Sequence, residues 1–129
     1  MQKPYKNQKI YADNGILLID KPANMTSAAV VARVKKLIKA KKVGHTGTLD
    51  PFATGILICC INNATKIAGI LMKGQKKYEA VLCLGMRSDT QDITGNVSLS
   101  FKKVDFSLET IKAAFDFFRG EIEQKPPAF

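Results

Sequence analysis

The sequence predicts an α+β fold, with a mixed or antiparallel sheet flanked by helices. Short apolar runs bounded by turn residues alternate with segments of helical periodicity, and no regular strand-helix-strand repeat connects them. A chain of 129 residues, 46% hydrophobic and 24% charged, suits one packed domain or part of one. This balance excludes a wholly disordered protein.

The first predicted elements follow a polar tail over residues 1–14. Residues 15–19 (GILLI) form an apolar run typical of a buried strand. In the following turn Asn24 suits a left-handed backbone, and Thr26 or Ser27 is expected to cap a helix. That helix is expected to run to about Lys41. Its apolar stripe consists of Val30, Val34, Leu37 and Ile38.

The rest of the chain is predicted to alternate strands with two helices. Strands are expected at 55–61, 77–84 and near 96–103. A short helix is expected over 63–72 and ends before Gly74, and a final helix begins after Ser107 and ends before Gly120.

The charge of the chain favours a polyanionic partner. Twenty Lys and Arg residues against eleven Asp and Glu residues give a net charge of +9. Much of the excess lies between Lys35 and Lys42, which either forms a solvated surface or faces phosphates. Nucleic acid is the leading partner class, with an anionic membrane second.

The three cysteines lie in apolar stretches, which indicates core packing rather than a disulfide framework. The first residues lack the apolar region of a signal peptide, and the longest apolar runs are too short to cross a bilayer. We therefore expect a cytoplasmic protein.

Residues 44–55 (GHTGTLDPFATG) contain the only histidine of the chain. They are predicted to form a loop that holds Asp50 rigidly at the surface, where a carboxylate acts as nucleophile or general base. Gly44 and Gly47 are expected to allow backbone conformations or close approaches that a β-carbon would obstruct, and Pro51 to stiffen the loop. The alternative is a simple Asp-Pro turn, with His45 making a local hydrogen bond.

Two other kinds of site find little support in the sequence. The glycines do not match the GxxxxGK[ST] pattern of a phosphate-binding P-loop. A metal site could be assembled from His45, Asp50, Asp89 and Asp92, but their spacing is not a recognised ligand set. No metal is expected.

The 44–55 segment resembles the active-site loop of TruB-type tRNA pseudouridine synthases, and most specifically the bacterial stand-alone type. Further motifs of that family follow in the same order, at 18–27, 64–66, 77–78, 87–95 and 118–127. One departure is Asn24, where the family usually has glycine. The resemblance implies the catalytic-domain fold of pseudouridine synthases.

The resemblance also implies roles for single residues. Asp50 is the catalytic nucleophile, and His45 takes the place of a flipped nucleotide. Tyr78 stacks on the flipped uracil, and Asp92 organises an active-site arginine. The surrounding motifs contribute supporting residues, namely Lys21, Pro22, Gly44, Gly47, Leu49 and Pro51.

The reaction implied is isomerisation of uridine to pseudouridine in the T-arm loop of tRNA, after base flipping. It needs no cofactor, membrane or protein partner, and the full-length enzyme is expected to be a monomer. The choice between an acyl adduct and a glycal pathway stays open.

Residues 15–129 then correspond to the N-terminal portion of the catalytic domain. The family's arginine comes from a KGxYxR segment that this sequence does not contain, and the second half of the domain and the PUA domain are absent too. We expect the chain alone to bind RNA weakly and catalyse little, and its sheet to expose an edge. Two alternatives stay open: a basic RNA-binding module without chemistry, and the catalytic core of an RNA-guided, box H/ACA-like enzyme.

Overall fold

The computed structural model describes residues 13–99 and 106–125. The chain divides into two compact units, Met1–Lys77 and Tyr78–Phe129. Each unit has its own antiparallel sheet, which confirms the α+β class. Within the described ranges, no helix has the length and apolar character needed to cross a membrane.

The first unit is built on a sheet of three strands, β1 (Gly15–Lys21), β2 (Val43–His45) and β3 (Gly55–Ile61). Their order is β1-β3-β2, and both pairings are antiparallel. Two of the three were predicted as apolar runs, whereas β2 was not. As predicted, the sheet exposes an edge among the described residues. Both β1 and β2 are edge strands there, since each pairs only with β3.

Helix α1 (Ser27–Leu37) begins as predicted but ends earlier. Thr26 is the N-cap, and its hydroxyl accepts a hydrogen bond from the Ala29 amide at 3.1 Å. The prediction that the helix reaches Lys41 was wrong. Lys39 has a left-handed backbone with φ of 52°, which stops the helical hydrogen-bond pattern after Leu37.

The core of the first unit lies between α1 and one face of the sheet. Val30 and Val34 pack there with Leu57 and Cys59, all of them buried. This contact explains the apolar periodicity of the helix, since each turn places one side chain on the sheet. On the other face of the sheet three apolar side chains remain exposed, namely Ile16, Leu18 and Ile56.

The short helix predicted over 63–72 is two elements. A 3-10 helix spans Asn62–Ile67, and α2 (Ala68–Met72) follows it directly. Asn62 has a left-handed φ of 50°, so it turns the chain sharply out of β3. The 3-10 helix then covers the end of the sheet, and Thr65 lies next to Gly44.

The second unit contains β4 (Met86–Ser88), β5 (Val97–Leu99) and α3 (Leu108–Asp116). Ser107 caps α3 as predicted, accepting from the Thr110 amide at 3.2 Å. The strand predicted near 96–103 is present as β5, and its last predicted residues lie outside the described ones.

The prediction of a strand over residues 77–84 was wrong. No described segment pairs with it, so its alternating pattern does not form a ladder. Val81 is 92% exposed, so this side chain is not packed in a core among the described residues.

The cysteines differ in reactivity, which gives a first prediction. Cys59 and Cys60 are buried, while Cys83 is exposed. Burial raises the pKa of both buried thiols, and the neighbouring Cys60 raises that of Cys59 further. We expect a maleimide to modify Cys83 within minutes in the native chain and the other two only after unfolding, as read by mass spectrometry. Native labelling of Cys59 or Cys60 at the rate of Cys83 would contradict this core.

Candidate active site

The loop that carries Asp50 connects the edge strand β2 to the central strand β3. It begins where β2 ends, and the Thr46 amide extends the ladder by donating to the Ile58 carbonyl at 3.1 Å. A turn then places Asp50 at its first position and Pro51 at its second, closed by a bond from the Ala53 amide to the Asp50 carbonyl at 3.0 Å. The Asp-Pro turn that the sequence left as an alternative is therefore present.

The residue before Asp50 is fixed by Ser27, the first residue of α1. The Ser27 hydroxyl accepts from the Leu49 amide at 2.9 Å and donates to the Leu49 carbonyl at 3.1 Å. Ser27 is buried, so water competes little for either bond. Both polar groups of the Leu49 backbone are thus held by a single side chain.

The residue after Asp50 is fixed by Lys21, the last residue of β1. Its ammonium donates to the Pro51 carbonyl at 3.1 Å, and also to the carbonyls of Pro22 and Met25 at 3.0 and 2.7 Å. Lys21 is fully buried, and these three carbonyls satisfy all the donors of its ammonium. It therefore ties the turn after β1 to the Asp50 loop.

Asp50 itself is exposed. Among the residues that the structure describes, none donates a hydrogen bond to its carboxylate or forms an ion pair with it. The backbone on both sides is held while the carboxylate faces solvent. Such an arrangement holds a reactive group in a fixed position and leaves its oxygen atoms available to a substrate.

His45 lies at the end of β2, paired with Cys59 across the ladder, and is half-buried. Its Nδ1 accepts from the Gly47 amide at 3.4 Å, which is a long hydrogen bond. This is the local bond that the sequence left as an alternative. His45 and Asp50 therefore flank the same short loop of the first unit.

Gly44 and Gly47 were expected to allow backbone conformations or close approaches that a β-carbon would obstruct, and the structure shows neither. A β-carbon at Gly44 would lie 3.7 Å from the Thr65 methyl group, an ordinary contact, and one at Gly47 would meet nothing within 4 Å. Neither glycine has a positive φ. Nothing in the described chain itself therefore requires glycine at these two positions.

Tyr78 and Asp92 belong to the second unit. Tyr78 is 70% exposed, so it does not act as a core residue among the described residues. The Asp92 carboxylate closes its own turn, where Oδ1 accepts from the Thr94 amide and hydroxyl at 2.7 and 2.6 Å and from the Thr90 hydroxyl at 2.7 Å. In this structure Asp92 is therefore a turn residue.

Asp89 completes this turn by binding the Asn96 amide and side chain, both at 2.9 Å. A β-carbon at Gly95 would collide with the Asp89 carboxylate and with the hydroxyls of Ser88 and Thr90, so these side chains would have to move to admit one. The motif at 87–95 thus encodes a closed carboxylate turn.

The carboxylate turn should depend on pH. Hydrogen bonds from Asn96 lower the pKa of Asp89, and bonds from Thr94 and then Thr90 lower that of Asp92. Because both folded pKa values are depressed, the stabilisation is present above the ordinary value of about 3.9 and is lost as pH falls through the folded values. We expect amide shifts of Thr94 and Asn96 in NMR spectra to move together in that acid range. A transition of these amide shifts at the ordinary midpoint of an exposed aspartate, with no displacement to lower pH, would contradict this.

The Ser27 clamp gives a further prediction. Ser27→Ala removes both bonds to Leu49, and we expect hydrogen exchange at the Leu49 amide to accelerate roughly 5- to 30-fold, which corresponds to about 1–2 kcal/mol. Thr26→Ala is the matched control, because it removes the helix cap and should accelerate exchange at Ala29 only. Equal protection of Leu49 in the wild type and in Ser27→Ala would disprove the clamp.

Sequence reasoning missed how this site is held. Ser27 was considered only as a helix cap, and Lys21 only as a motif residue without a partner. A lysine at the end of an apolar strand and directly before proline was a usable signal, since a buried ammonium needs several acceptors.

Within residues 13–99 and 106–125, no three His, Cys, Asp or Glu side chains are grouped to hold a metal ion.

The fold is similar to that of single chains in two solved protein complexes. A chain in the crystal structure of a Cbf5-Nop10-Gar1 complex matches with a TM-score of 0.60 and 28% identity, over 88% of this chain and 29% of that one. A chain in an archaeal box H/ACA sRNP Nop10-Cbf5 complex matches with a TM-score of 0.58 and 27% identity, over 89% and 31%.

Sequence comparison identifies the family to which the chain belongs. Residues 35–129 match the model of the TruB family pseudouridylate synthases (N terminal domain), and the chain belongs to this family. Similar proteins are the tRNA pseudouridine synthases B of Clostridioides difficile, 50% identical over 119 residues, and of Oenococcus oeni, 47% identical over 117. The chain is matched over 90% of its length in both cases but covers only 38% and 39% of these relatives.

Proposed function

We propose that this chain provides the nucleophile-bearing part of an enzyme that isomerises uridine to pseudouridine in the T-arm loop of tRNA. The observation that carries the proposal is the Asp50 loop, where an exposed carboxylate is held at both neighbouring residues by buried side chains. Membership of the family supports the same reaction.

The reaction breaks the bond between C1′ and N1 of uridine and forms a bond between C1′ and C5. The proton on C5 is released, and N1 gains one, so the product is an isomer. No electrons are exchanged, and no cofactor is proposed. Asp50 adds either to the ribose or to the base, and an ionised carboxylate is required for both.

The other site residues are proposed to handle the flipped base. His45 is half-buried beside the loop, where its ring can occupy the space that the base leaves in the RNA. Tyr78 carries an exposed ring that suits stacking on uracil. Asp92 is proposed to orient an arginine supplied by the part of the enzyme beyond residue 129, and open space at Gly47 would let RNA approach the loop.

We propose that residues 15–129 form the N-terminal portion of the catalytic domain, which a second half and a PUA domain complete. The full-length enzyme is proposed to act as a cytoplasmic monomer without a protein partner. The relatives at 47–50% identity favour this stand-alone type over the RNA-guided type, which rests on structural neighbours at 27–28% identity.

The test uses a fusion protein, namely this chain followed by the C-terminal residues of the Clostridioides difficile relative that it does not cover. The substrate is a T-arm stem-loop RNA with tritium on C5 of the target uridine. We expect about one equivalent of tritium to be released, and none when the label lies on a stem uridine. RNA binding without release would favour a non-catalytic RNA-binding module, and release only with a guide RNA would favour the box H/ACA-like alternative.

A further inference from the structure

The connection between α1 and β2 is a loop of five residues, Ile38, Lys39, Ala40, Lys41 and Lys42, which we call the lysine loop. Ala40 is buried and Ile38 is half-buried against the core, while the three lysines are exposed. The loop thus packs its apolar residues inward and presents its cations to solvent.

The backbone of the lysine loop is held at both ends. The Ala40 amide donates to the Lys35 carbonyl at 3.2 Å, which closes the helix in the six-to-one pattern of a Schellman motif. Lys39 occupies the left-handed position of that motif, where glycine is usual. A lysine there costs conformational free energy, so the surrounding contacts must impose this conformation.

Asn62 fixes the other end of the loop. Its side-chain oxygen accepts from the backbone amides of Lys41 and Lys42, both at 3.1 Å. Its backbone amide donates to the Lys42 carbonyl at 2.8 Å. Asn62 directly follows β3, so the loop is anchored to the central strand of the sheet. The positions of the lysine Cα atoms are therefore set before any ligand binds.

The lysine loop lies in a strongly cationic stretch of the chain. No acidic residue occurs between Asp20 and Asp50, and Arg33, Lys35 and Lys36 add exposed cations on α1. Within the described parts of the chain, none of the loop lysines makes an ion pair. A cationic surface of this kind is matched to a dense row of phosphates rather than to a single carboxylate.

The lysine loop is also close to the Asp50 loop. Lys42 directly precedes β2, and His45 is the last residue of that strand. At about 3.3 Å per residue their Cα atoms are about 10 Å apart. One folded RNA can therefore reach both loops at once. Lysine suits phosphates whose exact orientation varies, because its ammonium acts as a point charge.

We propose that the lysine loop binds backbone phosphates of the RNA whose uridine reaches Asp50, and that it fixes the register of that RNA on the first unit. This inference rests on the proposed function. It assigns positioning contacts to these lysines, not base recognition, so they should affect different RNA sequences equally.

The test compares the wild-type 129-residue chain with a Lys39→Gln/Lys41→Gln/Lys42→Gln variant. Binding of the T-arm stem-loop RNA is measured by fluorescence anisotropy between 20 and 200 mM salt, roughly the range in which phosphate contacts show their salt dependence. We expect a loss of affinity of about 10- to 100-fold at low salt, and a slope of log K against log salt that is shallower by about 2.

The matched control is Lys73→Gln/Lys76→Gln/Lys112→Gln, which removes the same charge from exposed positions elsewhere. It should change the affinity less than 3-fold, roughly, if the effect depends on position rather than on net charge. An equal loss in both variants, or an unchanged salt slope in the lysine-loop variant, would overturn the proposal. Circular dichroism and the thermal midpoint of each variant identify any loss of folding.

Failure of this inference differs from failure of the proposed function. If the fusion protein releases tritium while the lysine-loop variant keeps wild-type affinity and salt slope, the enzyme stands and the phosphate contact is wrong. If no tritium is released but the lysine-loop variant alone loses binding, the contact stands and the catalytic function is wrong.

Discussion

Asp50→Asn in the fusion protein is expected to lower the rate of tritium release by roughly 10³-fold or more, because an amide serves neither as nucleophile nor as general base. The fold should be unaffected. The Asp50 side chain is exposed and has no hydrogen-bond partner among the described residues, so the free energy of unfolding should change by less than about 0.5 kcal/mol. The measurements are single-turnover release and urea unfolding.

The matched control is Asp13→Asn, which makes the same chemical change at another exposed carboxylate of the first unit. This variant should release tritium at the wild-type rate. RNA affinity should be nearly equal in the wild type and both variants, which separates chemistry from binding. Wild-type release by Asp50→Asn would remove Asp50 from the reaction and with it the basis of the proposed function.

Lys21→Met is expected to produce the largest loss of stability, about 2–4 kcal/mol. Methionine fills a similar volume, but it leaves the carbonyls of Pro22, Met25 and Pro51 without their donor. Hydrogen bonds to a charged donor contribute more than neutral ones, and burial excludes water as a replacement. Urea unfolding of the chain should show the lowered midpoint.

Lys73→Met is the control for this prediction, since Lys73 is exposed and follows α2. It should change the free energy of unfolding by less than about 0.5 kcal/mol. A midpoint for Lys21→Met within error of the wild type would mean that the three carbonyls find other donors. The ammonium would then not be what holds the Asp50 loop to β1.

Much of the fold was predictable because its elements are locally encoded. The runs at 15–19 and 55–61 are apolar throughout, and α1 has both a capping residue and a periodic stripe. The end of α1 was not predictable, because it depends on the left-handed backbone of Lys39. The loop that follows is held by Asn62, which lies 20 residues beyond Lys42 in the chain. Residues 77–84 have the alternating pattern of a strand, but no strand among the described residues pairs with them.

For the candidate site, the sequence identified the residue types but not their support. Asp50 and His45 were found through a motif, and the structure places them on one loop. The bonds that hold this loop join residues 22 and 30 positions apart, and no local pattern reveals such pairings. The roles of Asp50, His45, Tyr78 and Asp92 toward RNA stay predictions.

The same long-range bonds also affect when the Asp50 loop can form during folding. Closing 22- and 30-residue segments carries an entropic cost that forming α1 alone does not, so we expect Ser27 and Lys21 to engage the loop after α1 has formed. A chain that has formed α1 but not these bonds has the carboxylate without its fixed geometry. We expect the geometry of the Asp50 loop to report on completion of these long-range contacts in the first unit.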